Sequence, residues 1–376
     1  MIDFTNVDKH ISELIDKMVF GAAVRIMKGD EIVFEKCYGY ANKEKGYPIT
    51  THSEFRLASN TKIVTGVAVI LAQQMGLLNV NDYVDKYIPE FKELYIKDEN
   101  FNIIDPHPYR ITIRQMLDHS SGFGTVPHEA KIYQSIKEDD RKDLKSYIDK
   151  YVQYHALAFV PGSNRSYSSF TCFDTLGRII EIVSGMPYEA FLKKYIFEPL
   201  DMPNTKYSYE GVKPEDKVIS ADINDKGELY QYDENNRTFD TFAINYPSGG
   251  AGLISTLEDY SHLMRMLTNK GVYKGKVFLT KESFECFTHK IRIYYPDGRY
   301  EDWGCGVFFR LPEWKMIPRN AFGWSGAYGT HAWSDPDNDI TVVYMHNTVH
   351  PGDGGAGARH TLVLENDVCT TFNLEY

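Results

Sequence analysis

Ser59 and Lys62 stand three residues apart in Phe55-Arg56-Leu57-Ala58-Ser59-Asn60-Thr61-Lys62, at the head of the apolar run Ile63-Val64-Thr65-Gly66-Val67-Ala68-Val69-Ile70-Leu71-Ala72. Positions i and i+3 share a helix face, which brings an amine beside a hydroxyl. In a buried pocket with cationic neighbours, lost hydration disfavours the ammonium, and the free amine can accept the serine proton. A helix N-terminus at Ser59 would also stabilise developing oxyanion charge. The pattern is short, and a chain of this length holds roughly one S-x-x-K by chance. This is the one S-x-x-K in the sequence, and it falls at the start of a buried helix, where lysine is rarely placed without a partner.

Two other stretches carry chemistry. The turn-rich loop Phe159-Val160-Pro161-Gly162-Ser163-Asn164-Arg165-Ser166-Tyr167-Ser168-Ser169-Phe170 offers Tyr167 to a cleft, where a phenol oxygen backed by cations serves as general acid or base. Read structurally, Tyr167 is one of 27 tyrosines and merely packs. The segment Phe322-Gly323-Trp324-Ser325-Gly326-Ala327-Tyr328-Gly329-Thr330-His331-Ala332-Trp333 sets small residues around one indole. A ligand could approach such a backbone closely and receive its amides; equally, the glycines could mark a bulge or bend. His331 lies in the same segment with its role open.

The elements that must position these groups follow from periodicity. Residues 5–18 read as an amphipathic helix with Ile11, Leu14, Ile15 and Met18 on one side, and two β-rich runs follow across the turn Lys28-Gly29-Asp30. The Ser59 helix ends with Gly76 as its cap, and Ile111–Gly122 reads as a second helix with Thr112 as N-cap. Residues 129–155 and 170–197 are helical in period. Trp303–Phe309, Ala327–Trp333 and Ile340–Met345 read as strands, with a dense turn at Asp335–Asp339 and a helix over about 358–372. The expectation is an α+β fold: residues 1–75 and 245–376 build a sheet domain from both chain ends, residues 76–244 form a mainly helical insertion, and the site lies in the cleft between them.

Composition narrows the function classes. With 43% hydrophobic and 25% charged residues the chain is an ordinary globular one, not a disordered one. The net charge of −11, with dispersed lysines and arginines, excludes a basic footprint for nucleic acid or an anionic membrane. Cys37, Cys172, Cys286, Cys305 and Cys369 lack C-x-x-C spacing and read as reduced thiols. The N-terminus carries no basic segment followed by an apolar one, so the expected location is cytoplasmic. His346 and His350 lack a third ligand at suitable spacing, and Gly352–Gly357 lacks the Gly-Lys-Ser/Thr ending of a phosphate loop. Asp118-His119 could suggest a charge relay; the structural reading is favoured.

Taken together, the three clusters resemble the serine β-lactamase and penicillin-binding protein superfamily, in its class C-like branch with family VIII carboxylesterases, D-aminopeptidases and acyltransferases. Phe55 to Lys62 is similar to its first motif, Tyr167-Ser168-Ser169 to its Tyr-x-Asn motif, and Trp324-Ser325-Gly326 stands where the family has Lys-Thr-Gly or His-Thr-Gly. Ile111–Gly122 resembles the family's Leu-Leu-x-His-x-Ser-Gly segment, and Gly249–Tyr260 its Gly-Gly-x-Ser-Thr-x-x-Asp segment. The resemblance spans about residues 20–350 in motif order.

The resemblance implies a β-lactamase/transpeptidase-like fold with an antiparallel sheet flanked by helices. It makes Ser59 the acylated nucleophile, Lys62 its base or proton relay, and Tyr167 the shuttle to the leaving group. It gives the oxyanion hole to the amides of Ser59 and Ala327, and substrate contacts to Ser169, Trp324, Ser325 and Gly326. No metal or organic cofactor is implied. Ser169 and Trp324 depart from the motifs, removing a side-chain amide and a cation that would meet a carboxylate. A Trp-x-Gly third motif looks more like the esterase branch. The expected activity is hydrolysis of small esters or amides, chiefly as a carboxylesterase. The alternatives are a D-amino-acid peptidase, a penicillin-binding or β-lactamase-type enzyme, or a non-catalytic ligand-binding member of the fold.

Overall fold

The structure is a computed structural model that describes residues 2–124, 128, 142–151, 156–231, 246–294, 298, 300–309, 318, 320–349 and 359–374. Among these, nine strands form one antiparallel sheet, in the order Ile291–Tyr294, Tyr300–Trp303, Phe308–Phe309, Phe322–Ser325, His331–Asp335, Ile340–Met345, Gly21–Lys28, Glu31–Asn42 and Tyr47–Pro48. The seam between the chain ends is the pairing of Gly21–Lys28 with Ile340–Met345, in which Ala23 faces Met345 and Ile26 faces Val342.

Helices cover both faces of the sheet. Val24, Ile26, Val342 and Tyr344 pack with Val7, Ile11, Leu364 and Val368 of the helices Thr5–Leu14 and Arg359–Thr371. On the other face Ala23, Ala332, Val343 and Met345 join Leu263, Met264 and Leu267 of the helix Leu257–Thr268. At Ile340–Met345 neither face meets water, so this strand is buried throughout rather than alternating.

The helix Thr61–Gln74 is buried at every position from Thr61 to Ala72, which explains a sequence apolar on nearly every side. It packs against the helices Thr171–Ser184 and Lys281–Phe287. Close approach depends on two glycines. A Cβ at Gly66 would stand 2.1 Å from the Cys305 carbonyl oxygen, and one at Gly306, whose φ is +73°, would stand 2.6 Å from the Lys62 carbonyl oxygen.

Several sequence expectations change. The first helix stops at Leu14, because Ile15 turns extended and Asp16 takes a φ of 61°. The Ile111–Gly122 helix is only Ile113–Leu117. Thr112 and Gln115 form a capping box at its start, and His119 adopts a φ of 63° soon after its end. Trp303–Phe309 is two strands folded back on each other, since Gly304 N–H bonds the Val307 carbonyl and Gly306 turns the chain. Ala327–Thr330 is likewise a hairpin loop, closed by Gly326 N–H on the Thr330 carbonyl, and the strand begins at His331. Within 129–155 a helix is described over Leu144–Tyr151; residues 129–141 and 152–155, His350 and Gly352–Gly357 lie outside the described residues. Among the described residues no helix is long and apolar enough to cross a membrane.

The Gly66 contact gives a direct check on how tightly the helix is held. Gly66→Ala should destabilise the protein by about 1–3 kcal/mol, because backbone rather than a flexible side chain must yield. Urea unfolding measures it; unchanged stability would show that the helix has room to shift.

Candidate active site

The chain reaches Ser59 through a tight turn. Ala58–Asn60 form one turn of 3-10 helix that runs directly into Thr61, and Ala58 holds a φ of 45°. Left-handed backbone at alanine costs roughly 1 kcal/mol or more. Surrounding bonds hold the turn in place: Leu57 N–H to the Leu253 carbonyl at 2.8 Å, Tyr260 OH to the Asn60 carbonyl at 2.9 Å, and Asn60 Nδ2 to Thr330 Oγ1 at 3.0 Å.

Lys62 is 1% exposed, yet its ammonium position is fully used. Nζ donates to the carbonyl oxygens of Ser169 and Gly250, each at 2.7 Å, and lies 3.3 Å from Ser59 Oγ. With two N–H groups committed to carbonyls, the third tetrahedral position faces the serine. In the neutral amine that position is a lone pair able to accept the Ser59 proton; in the ammonium it is an N–H able to return it.

Tyr167 OH stands 2.7 Å from Ser59 Oγ and receives Trp324 Nε1–H at 3.3 Å. The loop that carries it is pinned by Arg165, which donates to the carbonyls of Asp118, Glu301 and Ile291 at 2.8–2.9 Å. His119 supports it from below: its Nδ1 accepts Ser168 N–H at 3.2 Å, and its ring lies 4.7 Å from those of Tyr167 and Trp303. Burial, and then the charges of Lys62 and Arg165, push the His119 pKa well below its ordinary value, so the ring is neutral. Asp118 bonds Ser120 through N–H and Oγ rather than His119, so these neighbours form no charge relay.

On the far side, Trp324 packs 4.6 Å from Trp303 and 5.5 Å from Tyr167, between ring centroids. Gly326 lets the hairpin loop touch the Ser59 turn, since a Cβ there would meet the Leu57 carbonyl at 2.2 Å. Ala327 follows at once and packs near Ala58. Ser59, Lys62, Tyr167, Ser169, Trp324 and the Gly326–Ala327 turn therefore converge. Ser325 faces the other side of its strand, toward His331.

Sequence reasoning missed the groups that hold Lys62. Ser169 acts through its backbone carbonyl, which no side-chain motif reveals. Gly249 and Gly250 are required by close approach: Cβ atoms there would stand 2.2 Å from the Phe173 carbonyl and 2.6 Å from the Ser169 carbonyl. Asp174 organises that loop, accepting from Tyr246 OH and Ser248 Oγ at 2.6 Å each and from Gly250 N–H at 3.1 Å. Burial pushes its carboxyl up to about 6, against those bonds and the nearby Lys62 charge. An aspartate on an apolar helix face was the available signal. Among the described residues no group of three or more His, Cys, Asp or Glu side chains could hold a metal ion; His346 Nε2 instead meets His360 Nε2 at 3.2 Å.

The family model described as Beta-lactamase matches residues 7–366. Penicillin-binding protein 4* of Bacillus subtilis (strain 168) is 28% identical over 91% of this chain and 72% of its own. Esterase EstB of Burkholderia gladioli is 26% identical over 91% of this chain and 89% of its own. Among solved structures, EstCE1, a hydrolase with promiscuous acyltransferase activity, aligns with a TM-score of 0.79 at 23% identity, covering 98% of this chain and all of the other. The fold is thus β-lactamase/transpeptidase-like.

Asp174 yields a pH signature. Between pH 3.8 and about 6 the folded state keeps a proton there that the unfolded chain has released, so its stabilising contribution is full below pH 3.8 and is lost as pH rises through about 6. The unfolding free energy of the wild type minus that of Asp174→Asn should therefore fall across this window, by on the order of 3 kcal/mol. Urea melts at stepped pH measure it, and a pH-independent difference would contradict the buried-carboxyl assignment.

Proposed function

The chain belongs to the beta-lactamase family, and within that family of serine hydrolases we propose that it is a carboxylesterase-like enzyme acting on small esters or amides through an acyl-enzyme at Ser59. The observation that carries this reading is the convergence on one hydroxyl: Tyr167 OH at 2.7 Å and Lys62 Nζ at 3.3 Å from Ser59 Oγ.

In this reading Ser59 Oγ attacks the acyl carbonyl carbon while its proton passes to the Lys62 amine. The carbonyl electron pair moves onto oxygen, where the amides of Ser59 and Ala327 receive it at the start of a helix. The pair then reforms the carbonyl, the ester C–O bond breaks, and Tyr167 delivers a proton to the departing alkoxide, regaining one through Lys62. Water repeats the sequence on the acyl-enzyme and releases the acid. A neutral His119 behind Tyr167 supports the phenol without adding a competing charge.

Trp324 favours esters over carboxylate-bearing β-lactams or peptides. It supplies a neutral N–H to the Tyr167 oxygen where a motif lysine or histidine would bring a cation, and its ring joins Trp303 and Phe308 in an aromatic wall. The esterase among the relatives is in keeping with that wall.

A fluorophosphonate probe should label the wild-type protein at Ser59 and leave Ser59→Ala unlabelled; an unlabelled, folded wild type would overturn the enzyme reading. Short-chain p-nitrophenyl esters should be hydrolysed, with Tyr167→Phe slower by roughly a hundredfold or more and Trp324→Phe slower by about tenfold for the lost N–H. Faster turnover of a cephalosporin or a D-alanyl amide than of these esters would move the assignment to another branch of the family.

A further inference from the structure

Two cysteines that the steps above do not use share one guanidinium. Arg114, on the helix Ile113–Leu117, donates through Nη2 to Cys286 Sγ at 2.8 Å, and through Nη1 to Cys305 Sγ and the Cys286 carbonyl at 2.9 Å each. Gln73 Nε2 adds a second donor to Cys286 Sγ at 3.3 Å. Cys305 Sγ stands 3.6 Å from the Cys286 carbonyl, and both cysteines are free thiols.

The fold holds this pair together. Cys286 lies in the last turn of the helix Lys281–Phe287, and Cys305 follows the strand Tyr300–Trp303, whose antiparallel pairing with Ile291–Tyr294 brings the chain back to that helix. Cys305 N–H then bonds the carbonyl of Phe287, the residue after Cys286, at 3.0 Å. The turn is wedged from its other side, because the Cys305 carbonyl abuts Gly66 and Gly306 abuts the Lys62 carbonyl. Cys305 is thereby kept against Cys286.

Charge makes the arrangement more than packing. A guanidinium keeps its charge, and one partly withdrawn from water needs an anion or good acceptors. Among the described residues Arg114 forms no ion pair with a carboxylate, and Asp118 acts on it only at longer range. Its partners are two sulfurs and one carbonyl oxygen. A thiol sulfur is a weak acceptor, whereas a sulfur that has lost its proton is a full counter-charge. The two sulfurs also differ in access. Cys305 is fully buried, and burial pushes its thiol up to about 12 against the pull of Arg114. Cys286 is only half-buried. Cys37, the other half-buried cysteine, offers a comparison: its sulfur receives no hydrogen bond among the described residues, and burial, then the charge of Glu35, pushes its thiol up.

We propose that Cys286 and Cys305 are a redox site that small-molecule disulfides oxidise to an internal disulfide, with Arg114 meeting the negative charge on the Cys286 sulfur as it attacks. Cys286 releases its proton to water, and its sulfur attacks one sulfur of the reagent R–S–S–R. That S–S bond breaks, and R–S⁻ departs. Cys305 then gives its proton to the departed R–S⁻ and attacks the Cys286 sulfur, expelling a second R–S⁻ that takes up the proton released first. Two protein thiols are oxidised to one disulfide, and the reagent is reduced to two thiols.

Peptide mass mapping of the full chain after reaction with 2-hydroxyethyl disulfide, a small neutral reagent, tests this at sulfur and does not depend on the reading of Ser59. The wild type should yield a Cys286–Cys305 disulfide, reversed by dithiothreitol, with Cys286 reacting at least roughly tenfold faster than Cys37. In Cys305→Ser the reaction should stop at one hydroxyethylthio group on Cys286, and in Cys286→Ser it should leave Cys305 untouched. In the Cys305→Ser background, Arg114→Gln should slow the first step by roughly tenfold, with Arg114→Lys keeping part of the rate. The comparison of Cys286 with Cys37 needs no substitution, so it stands if a variant fails to fold. No reaction at Cys286, or modification of Cys37 ahead of it, overturns the site. A hydroxyethylthio group that persists on Cys286 while Cys305 is present overturns the pairing, and an unchanged rate in folded Arg114→Gln overturns the role of the arginine.

Discussion

A lysine that is 1% exposed must be given partners or it will not fold inside, and the rest of this structure can be traced from how Lys62 obtains them. Two carbonyl oxygens, from Ser169 and Gly250, take two of its hydrogens. They come from loops more than a hundred residues from Lys62 in the chain, so the bonds also join the Tyr167 loop to the glycine pair. Gly249 and Gly250 permit the approach, and Asp174 fixes the loop they belong to. The third direction of Nζ is left for Ser59, and that leftover position is what turns a structural requirement into chemistry.

The supporting fold does two separate things. The sheet, closed by pairing of its N- and C-terminal strands, sets the hairpin of Trp324 and Gly326 against the turn of Ser59. Helix packing on the other side, with Gly66 and Gly306 admitting backbone from the Cys305 turn, fixes the depth of Lys62. On its His119 and Trp324 sides Tyr167 meets aromatic, neutral groups: His119 is kept uncharged chiefly by burial, and Trp324 donates through an indole N–H. The cleft thereby stabilises a phenol–serine hydrogen bond without a second cation on the Trp324 wall.

Much of this was legible in the sequence, because apolar periodicity and turn residues encode local structure directly. The buried helix after Ser59, the strand Ile340–Met345 and the C-terminal helix followed from their patterns. Trp303–Phe309 and Ala327–Trp333 have the composition of single strands but fold back on themselves, since their β-favouring residues flank glycines that turn the chain. Ser59, Lys62, Tyr167 and Trp324 were singled out by residue type, and they do converge. Backbone carbonyls leave no mark in a sequence, which is why the partners of Lys62 were not anticipated. The meeting of Cys286 with Cys305 on Arg114 was equally hidden, because a pair of strands separates the two cysteines and no C-x-x-C spacing marks them.

The central claim is that chemistry passes through a covalent acyl group on Ser59. Mixing the protein with a short-chain ester, quenching in acid within the first turnovers, and mapping peptides by mass spectrometry tests it most directly. The account predicts a mass increase equal to the acyl group on the peptide containing Ser59, absent from Ser59→Ala. Ester cleavage without that adduct in a rapid-quench time course, or an adduct carried by a different residue, would contradict it.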